Sequence, residues 1–91
     1  MTRKDTTDTT YYAALEMAYA DYVRHLDFLE WSEPRYKRAD DAERARMKLV
    51  SAEYRERLLG KCKLIAAMFG THTYDVHCDL ASLYERRNGN D

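Results

Sequence analysis

The chain has 91 residues, with 16 acidic against 15 basic side chains and a formal net charge of −1 at pH 7. Leu, Ile, Val and Phe together number only 15, whereas Ala, Glu, Lys, Leu and Arg together number 42, a composition typical of long helices. These values exclude a collagen-like fibre, a disulfide-rich scaffold and most β architectures, and they predict one small all-α domain.

The N-terminal third of the sequence predicts a tail followed by a helix. The first ten residues are polar and rich in Thr, so we expect a disordered tail over 1–9 and a first helix over about 10–31. Pro34 should end this helix, because proline disfavours the helical conformation of the residue before it. The apolar residues recur at steps of three and four and therefore share one face. They are Tyr12, Leu15, Tyr19, Tyr22, Leu26 and Leu29.

A second helix is predicted between Asp40 and Phe69. Asp40 and Glu43 have the spacing of a capping box, and Gly70 stands where a left-handed C-terminal cap belongs. Gly60 disfavours a helix interior and suggests a close helix contact or a bend. The apolar stripe of this helix contains one charge, Lys61. Its other members are Met47, Val50, Tyr54, Leu58, Ile65 and Phe69.

A third, shorter helix is predicted over about 73–87, capped by Thr71 or Thr73. Its apolar residues are Val76, Leu80, Leu83 and Tyr84. The short connection over 32–39 should force the first two helices antiparallel. The expected fold is therefore an all-α antiparallel helical hairpin with a short third helix, a three-helix bundle. It forms a single domain over 10–87, followed by a flexible tail over 88–91.

The first helix also carries apolar residues opposite its main stripe, and a helix with two apolar faces needs two neighbours. The third helix or another chain could be the second neighbour. Tyr is frequent at interfaces because its ring is apolar and its hydroxyl is polar. The candidate partner-binding residues are Met17, Phe28, Trp31, Tyr11 and Ala20.

The central segment 34–63 is basic, with ten Lys or Arg against five acids. In one interpretation, bases on both flanks of the second helix pair with acids of the first helix. These acids would be Glu16, Asp21, Asp27 and Glu30. In two other interpretations, the segment binds nucleic acid or an acidic protein target. The nucleic-acid candidates are Arg35, Lys37, Arg38, Arg44, Lys48 and Arg55, of which 35–38 are expected in or beside a loop.

Catalytic and metal-binding patterns are weak. His72, His77, Cys78 and the distant Cys62 do not have the paired short spacing of zinc ligands. The sequence has neither a Gly-rich phosphate loop nor a serine elbow. We therefore expect no cofactor, no metal and no enzymatic activity.

These features favour a small non-enzymatic protein–protein interaction module that acts through a helical face. It would be a regulator, inhibitor or accessory protein of bacterial or phage type, and its partner would be another protein or a second copy in a homodimer. The alternative is a small nucleic-acid-binding regulator that uses the basic segment 35–57. The longest apolar run, Leu64–Phe69, is too short to span a bilayer, and the N-terminus has no apolar leader. Hence we expect a cytoplasmic protein without a membrane partner.

Overall fold

The computed structural model describes residues 9–88 and contains three α-helices: α1 (Thr9–Arg38), α2 (Asp41–Phe69) and α3 (Thr73–Asn88). The predicted all-α class and three-helix architecture are confirmed. Of the two predicted tails, residues 1–8 and 89–91 lie outside the described residues, whereas 9 and 88 belong to helices.

α1 and α2 form the predicted antiparallel hairpin. Tyr11 stacks edge-on against Phe69 with ring centroids 5.2 Å apart, at one end of the hairpin. At the other end, Arg44 Nε donates a hydrogen bond of 2.9 Å to the carbonyl of Tyr36. Because contacting residue numbers rise on one helix as they fall on the other, the two helices run in opposite directions.

The prediction that α1 ends before Pro34 is wrong. α1 includes Pro34 and continues to Arg38, and only residues 39 and 40 connect it to α2. The added turn is stabilised from outside, since Arg44 donates to the carbonyls of Tyr36 and Lys37 at 2.9 Å and 3.3 Å. The Tyr36 carbonyl also accepts a hydrogen bond of 3.3 Å from the Ala39 N–H. Carbonyls at the end of a helix have no partner in the helix itself and are satisfied by such contacts. The basic segment 35–38 is therefore helical and is not part of a loop.

The predicted ends of α2 are confirmed. Asp40 accepts a hydrogen bond of 2.8 Å from the backbone N–H of Glu43, and the Glu43 side chain accepts one of 3.3 Å from the Asp40 N–H. Gly70 caps the C-terminus with φ 66° and ψ 36°, a left-handed conformation that favours glycine. At Gly60 the expected close contact is wrong, because a Cβ there would meet nothing within 4 Å.

α3 begins and ends close to the predicted limits. The Thr71 hydroxyl, a predicted cap, lies 3.1 Å from the Asp75 carboxylate and donates a hydrogen bond to it. Val76 and Leu80 are fully buried, and Leu83 is nearly so. The predicted apolar face of α3 is thus the face that packs against the hairpin.

The core occupies one end of the molecule. Its buried apolar residues fall within 11–22 of α1, 58–69 of α2 and 76–83 of α3. Between residues 23 and 57, Ser32 alone is buried. This distribution gives an elongated shape of 51 × 30 × 16 Å, with a radius of gyration of 15.3 Å. A compact chain of this length would have about 12 Å. We call residues 23–38 of α1 and 41–57 of α2 the arm.

Candidate functional site

The hairpin is covered by α3 on only one side. Tyr22 of α1 contacts His77 and Tyr84 of α3, with ring centroids 5.5 Å and 5.8 Å apart. Met17 lies about 140° around α1 from Tyr22, and it is 69% exposed. We call the side of the hairpin that faces away from α3 the open face. By helical rotation its apolar residues are Met17, Phe28, Trp31, Val50, Leu64 and Met68. Its basic residues are Arg24, Arg35, Arg38, Arg46, Arg57 and Lys61, and its acidic residues are Asp21, Asp27, Glu43 and Glu53.

Four of the eight exposed large apolar side chains in the described residues lie on the open face. In addition to Met17, Leu64 is 60% exposed, Met68 is 58% exposed and Trp31 is 49% exposed. A single exposed apolar residue is ordinary, but a group on one face of a small protein is typical of a contact surface. Met side chains also adapt their shape to a partner.

An ion pair between the buried Asp21 and the half-exposed Lys61 joins α1 to α2 within the open face. The Asp21 carboxylate is buried, and its Oδ2 lies 2.5 Å from Lys61 Nζ. Arg24 lies 3.7 Å from the other carboxylate oxygen, and Lys61 also donates a hydrogen bond of 3.1 Å to the carbonyl of Met17. This arrangement explains why a lysine interrupts the apolar stripe of α2. It also ties the backbone of Met17 to α2.

Aromatic side chains form the apolar part of the open face in the arm. The ring centroid of Phe28 lies 5.7 Å from that of Trp31 and 5.6 Å from that of Tyr54. The Arg35 guanidinium lies 4.5 Å from the Trp31 ring centroid, and the same side chain donates a hydrogen bond of 2.7 Å to the Trp31 carbonyl. Because Arg35 is held by both contacts, the indole has a defined orientation.

Phe28 and Trp31 line a groove of about 690 Å³ between the two helices of the arm, which we call the arm groove. Its volume lies within the ~300–1,000 Å³ typical of binding pockets. The apolar lining comes from both helices and from the connection between them: Phe28, Trp31, Pro34, Ala39, Met47 and Val50. Arg35, Arg38 and Arg46 supply positive charge, and Glu43 is the acidic residue of this lining.

A second groove, of about 670 Å³, lies on the other side of the arm. Its lining includes Leu29, seven residues after Tyr22 and thus on the side of α1 that contacts α3. We call it the α3-side groove. Its basic residues are Lys37, Lys48 and Arg55.

Of the four predicted pairings between α1 acids and α2 bases, the described residues confirm one, between Asp21 and Lys61, and contradict that of Glu16. Glu16 pairs with Arg87 of α3, and Asp21 pairs with Lys61 and Arg24. No ion pair in residues 9–88 joins Asp27 or Glu30 to a base of α2.

The six candidate nucleic-acid-binding residues do not form one stripe. Arg35 and Arg38 lie at the arm groove, whereas Lys37, Lys48 and Arg55 lie at the α3-side groove. Arg44 is occupied as the cap of α1 and lies over the Tyr36 ring at 5.2 Å. The basic side chains are therefore distributed over two opposite sides of the arm.

Of the five candidate partner-binding residues, Tyr11 is contradicted. It is only 1% exposed, and its hydroxyl donates a hydrogen bond of 2.5 Å to Asp79 of α3. Burial and this bond raise the pKa of Tyr11 above its ordinary value. Tyr11 therefore belongs to the core. Met17, Ala20 and Trp31 are exposed, and Phe28 is half-buried.

Sequence reasoning missed Leu64 and Met68. A signal was present, since they belong to the apolar run Leu64–Phe69, which covers more than one full turn of helix. Such a run cannot face the core along its whole length. Ile65, Ala66 and Phe69 are buried, so the other residues of the run point outward.

The described part of the chain has no group of three or more His, Cys, Asp or Glu residues that could hold a metal ion. Cys62 is buried, which raises the pKa of its thiol, and Cys78 is exposed. Within residues 9–88, no helix combines the length and apolar character that crossing a bilayer requires.

Comparison of the chain with protein-family models, with curated proteins and with solved structures finds no match in any of the three.

Proposed function

We propose that the protein is a non-enzymatic protein-binding module and that the open face receives its partner. The observation that carries this proposal is the one-sided cover of the hairpin, which leaves Met17, Leu64 and Met68 more than half exposed on one face. Burial of such a patch by a partner contributes favourable free energy in proportion to the apolar area removed from water. Apolar and guanidinium groups are suited to binding rather than to proton transfer.

A different protein fits the open face better than a second copy of this chain. In a two-fold symmetric dimer the same surface meets itself. Each open face has six basic residues against four acidic ones, so two such faces carry the same sign of charge, and like charges in a contact oppose association. The charge of the open face therefore favours a partner with acidic residues.

A nucleic-acid-binding regulator is the second candidate, and one observation favours it. Within residues 9–88, Lys37, Arg38, Arg46 and Arg55 form no ion pair with an acidic side chain. Phosphate contacts would nevertheless leave Met17, Leu64 and Met68 in water, and the bases lie on opposite sides of the arm. These two points make protein binding the better interpretation.

The proposal is tested by co-purification from the native host with the tagged parent chain and two variants. Met17→Glu/Leu64→Glu places two charges on the open face. Leu49→Glu/Tyr74→Glu is the matched control, because it also replaces two exposed apolar residues, which are 63% and 76% exposed. Tyr74 lies on α3, and Leu49 does not line the arm groove. Each lysate is divided into a nuclease-treated and an untreated half, and circular dichroism measures the helical content of each variant.

We expect one or more proteins that the parent and the control retain and that the open-face variant loses. Capture of the same proteins by all three chains would contradict the proposal. So would a partner that disappears when nucleic acid is digested. A parent dimer in analytical ultracentrifugation that only the open-face variant disrupts would favour a homodimer instead.

A further inference from the structure

We infer that the open face binds an acidic amphipathic helix, with apolar side chains seated in the arm groove and carboxylates placed on Arg38 and Arg46. This inference rests on the proposed protein-binding function and specifies the chemistry of the partner. It follows from three observations: the shape of the groove, its apolar lining and its charge.

The shape of the open face fits a helix. α1 and α2 lie side by side with a groove between them, and a third helix packs naturally along such a pair. On the opposite side of the same hairpin, α3 does this with Val76, Leu80 and Leu83, at steps of four and three residues. From Met17 to Arg38 the open face extends for roughly 32 Å, which a partner helix of about 20 residues would cover.

The lining of the arm groove determines where the apolar side chains of that helix bind. Phe28 and Trp31 form one wall, and Met47 and Val50 form the other. A groove of about 690 Å³ has room for large apolar side chains. In a helix that lies in a groove, these side chains recur at i, i+3, i+4 and i+7.

The charge of the open face determines the polar side of the helix. On α1 the bases Arg24, Arg35 and Arg38 follow one another at steps of 11 and 3 residues. On α2 the bases Arg46, Arg57 and Lys61 follow at steps of 11 and 4. Such steps place the bases of each helix on one face. Lys61 and Arg24 are partly neutralised by Asp21. Arg38 and Arg46 have no acidic partner within residues 9–88. Both line the arm groove and can bind carboxylates in the bidentate geometry that guanidinium groups favour.

The experiment uses two synthetic helical peptides of about 20 residues. They share Leu and Phe at i, i+3, i+4 and i+7, and they carry either Glu or Lys at the flanking positions. Binding to the full chain is measured by fluorescence anisotropy at about 50 mM and about 500 mM salt, because higher salt screens pairs at the rim of an interface.

Two charge-reversal variants complete the design. Arg38→Glu/Arg46→Glu reverses the charge of the arm groove. Lys37→Glu/Lys48→Glu makes the same change in net charge at the α3-side groove, where both lysines lie, and is therefore its control. A short DNA duplex and a single strand serve as alternative ligands.

We expect the parent to bind the Glu peptide at least about tenfold more tightly than the Lys peptide at low salt, with a smaller ratio at high salt. The Arg38→Glu/Arg46→Glu variant should prefer the Lys peptide, and the control variant should keep the preference of the parent. Equal affinity of the parent for both peptides would overturn the inference. Tighter binding of DNA than of either peptide, lost in the same variant, would identify a nucleic-acid surface.

The two proposals fail separately. One outcome is that partner capture depends on the open face while the Glu peptide binds no more tightly than the Lys peptide. In that case the protein-binding function stands, and the inference of an acidic helical partner is wrong. If partner capture does not depend on the open face, the protein-binding function is itself contradicted.

Discussion

Leu80→Ala removes a side chain from the centre of the contact between α3 and the hairpin. Leu80 is 0% exposed, and it lies between Val76 and Leu83 on the buried face of α3. Truncation of a fully buried leucine lowers the free energy of unfolding by ~2–5 kcal/mol, as lost transfer energy plus the energy of the cavity. A chain of this length has a total stability of roughly 5–14 kcal/mol. The variant therefore loses a large part of it.

A loss of ~3 kcal/mol corresponds to a fall in Tm of roughly 12–24 °C in a domain of this size. The measurement is urea and thermal denaturation followed by circular dichroism. Leu64→Ala is the matched control, because the same atoms are removed from a leucine that is 60% exposed. Its expected change is within about 0.5 kcal/mol. Equal losses in the two variants would refute the assignment of Leu80 to the core and of Leu64 to the open face.

Three further substitutions test individual contacts. Lys61→Met leaves the buried Asp21 carboxylate without the ammonium that lies 2.5 Å away, and we expect a loss of ~1–3 kcal/mol in urea denaturation. Lys63→Met, at an exposed position of the same helix, is its control and should change stability by less than about 0.5 kcal/mol. Gly60→Ala should raise stability by ~0.5–1 kcal/mol, because alanine is the better helix former and its Cβ meets no other group; a destabilised variant would show a contact at Gly60. Tyr11→Phe removes the hydrogen bond to Asp79 and should lower stability at neutral pH by ~1–2 kcal/mol. Because the pKa of Tyr11 is higher in the folded chain than its ordinary 10.0, the parent loses stability as pH rises above 10. The Tyr11→Phe variant should lose less over the same range, and parallel pH profiles would contradict the buried phenol.

The helix ends differ in how well sequence predicts them, and the reason is the distance over which each end is stabilised. The capping box of Asp40 and Glu43 and the glycine cap at Gly70 depend on residues within one helical turn. Such local patterns are visible in the sequence. The C-terminus of α1 depends on Arg44, which reaches back to the carbonyls of Tyr36 and Lys37 from the next helix. A rule based on Pro34 and its neighbour cannot include that contact.

The core of α1 was also predicted only in part, because small residues carry much of it. Ala18 is buried as deeply as Leu15, Ala14 is buried with 7% of its surface exposed, and neither alanine belongs to the predicted stripe. An alanine contributes little to a hydrophobic pattern, but it lets α2 and α3 approach α1 closely. Leu29 belongs to the predicted stripe and is 40% exposed, since α3 does not extend that far along the hairpin. The predicted stripe lies on the correct face of α1. How much of its length is buried depends on how far α3 extends, which the sequence of α1 does not show.

The open face follows from the position of α3 on one side of the hairpin, and the arm follows from its length. α3 has 16 residues, against 30 in α1 and 29 in α2, so it covers only part of the side on which it packs. The buried core is confined to the end that α3 covers, and the arm contributes little to it. Substitutions at Arg38 and Arg46 in the arm should therefore change binding without loss of the fold. This separation of core and arm allows a charge reversal at the arm groove to be interpreted as an effect on recognition rather than on stability.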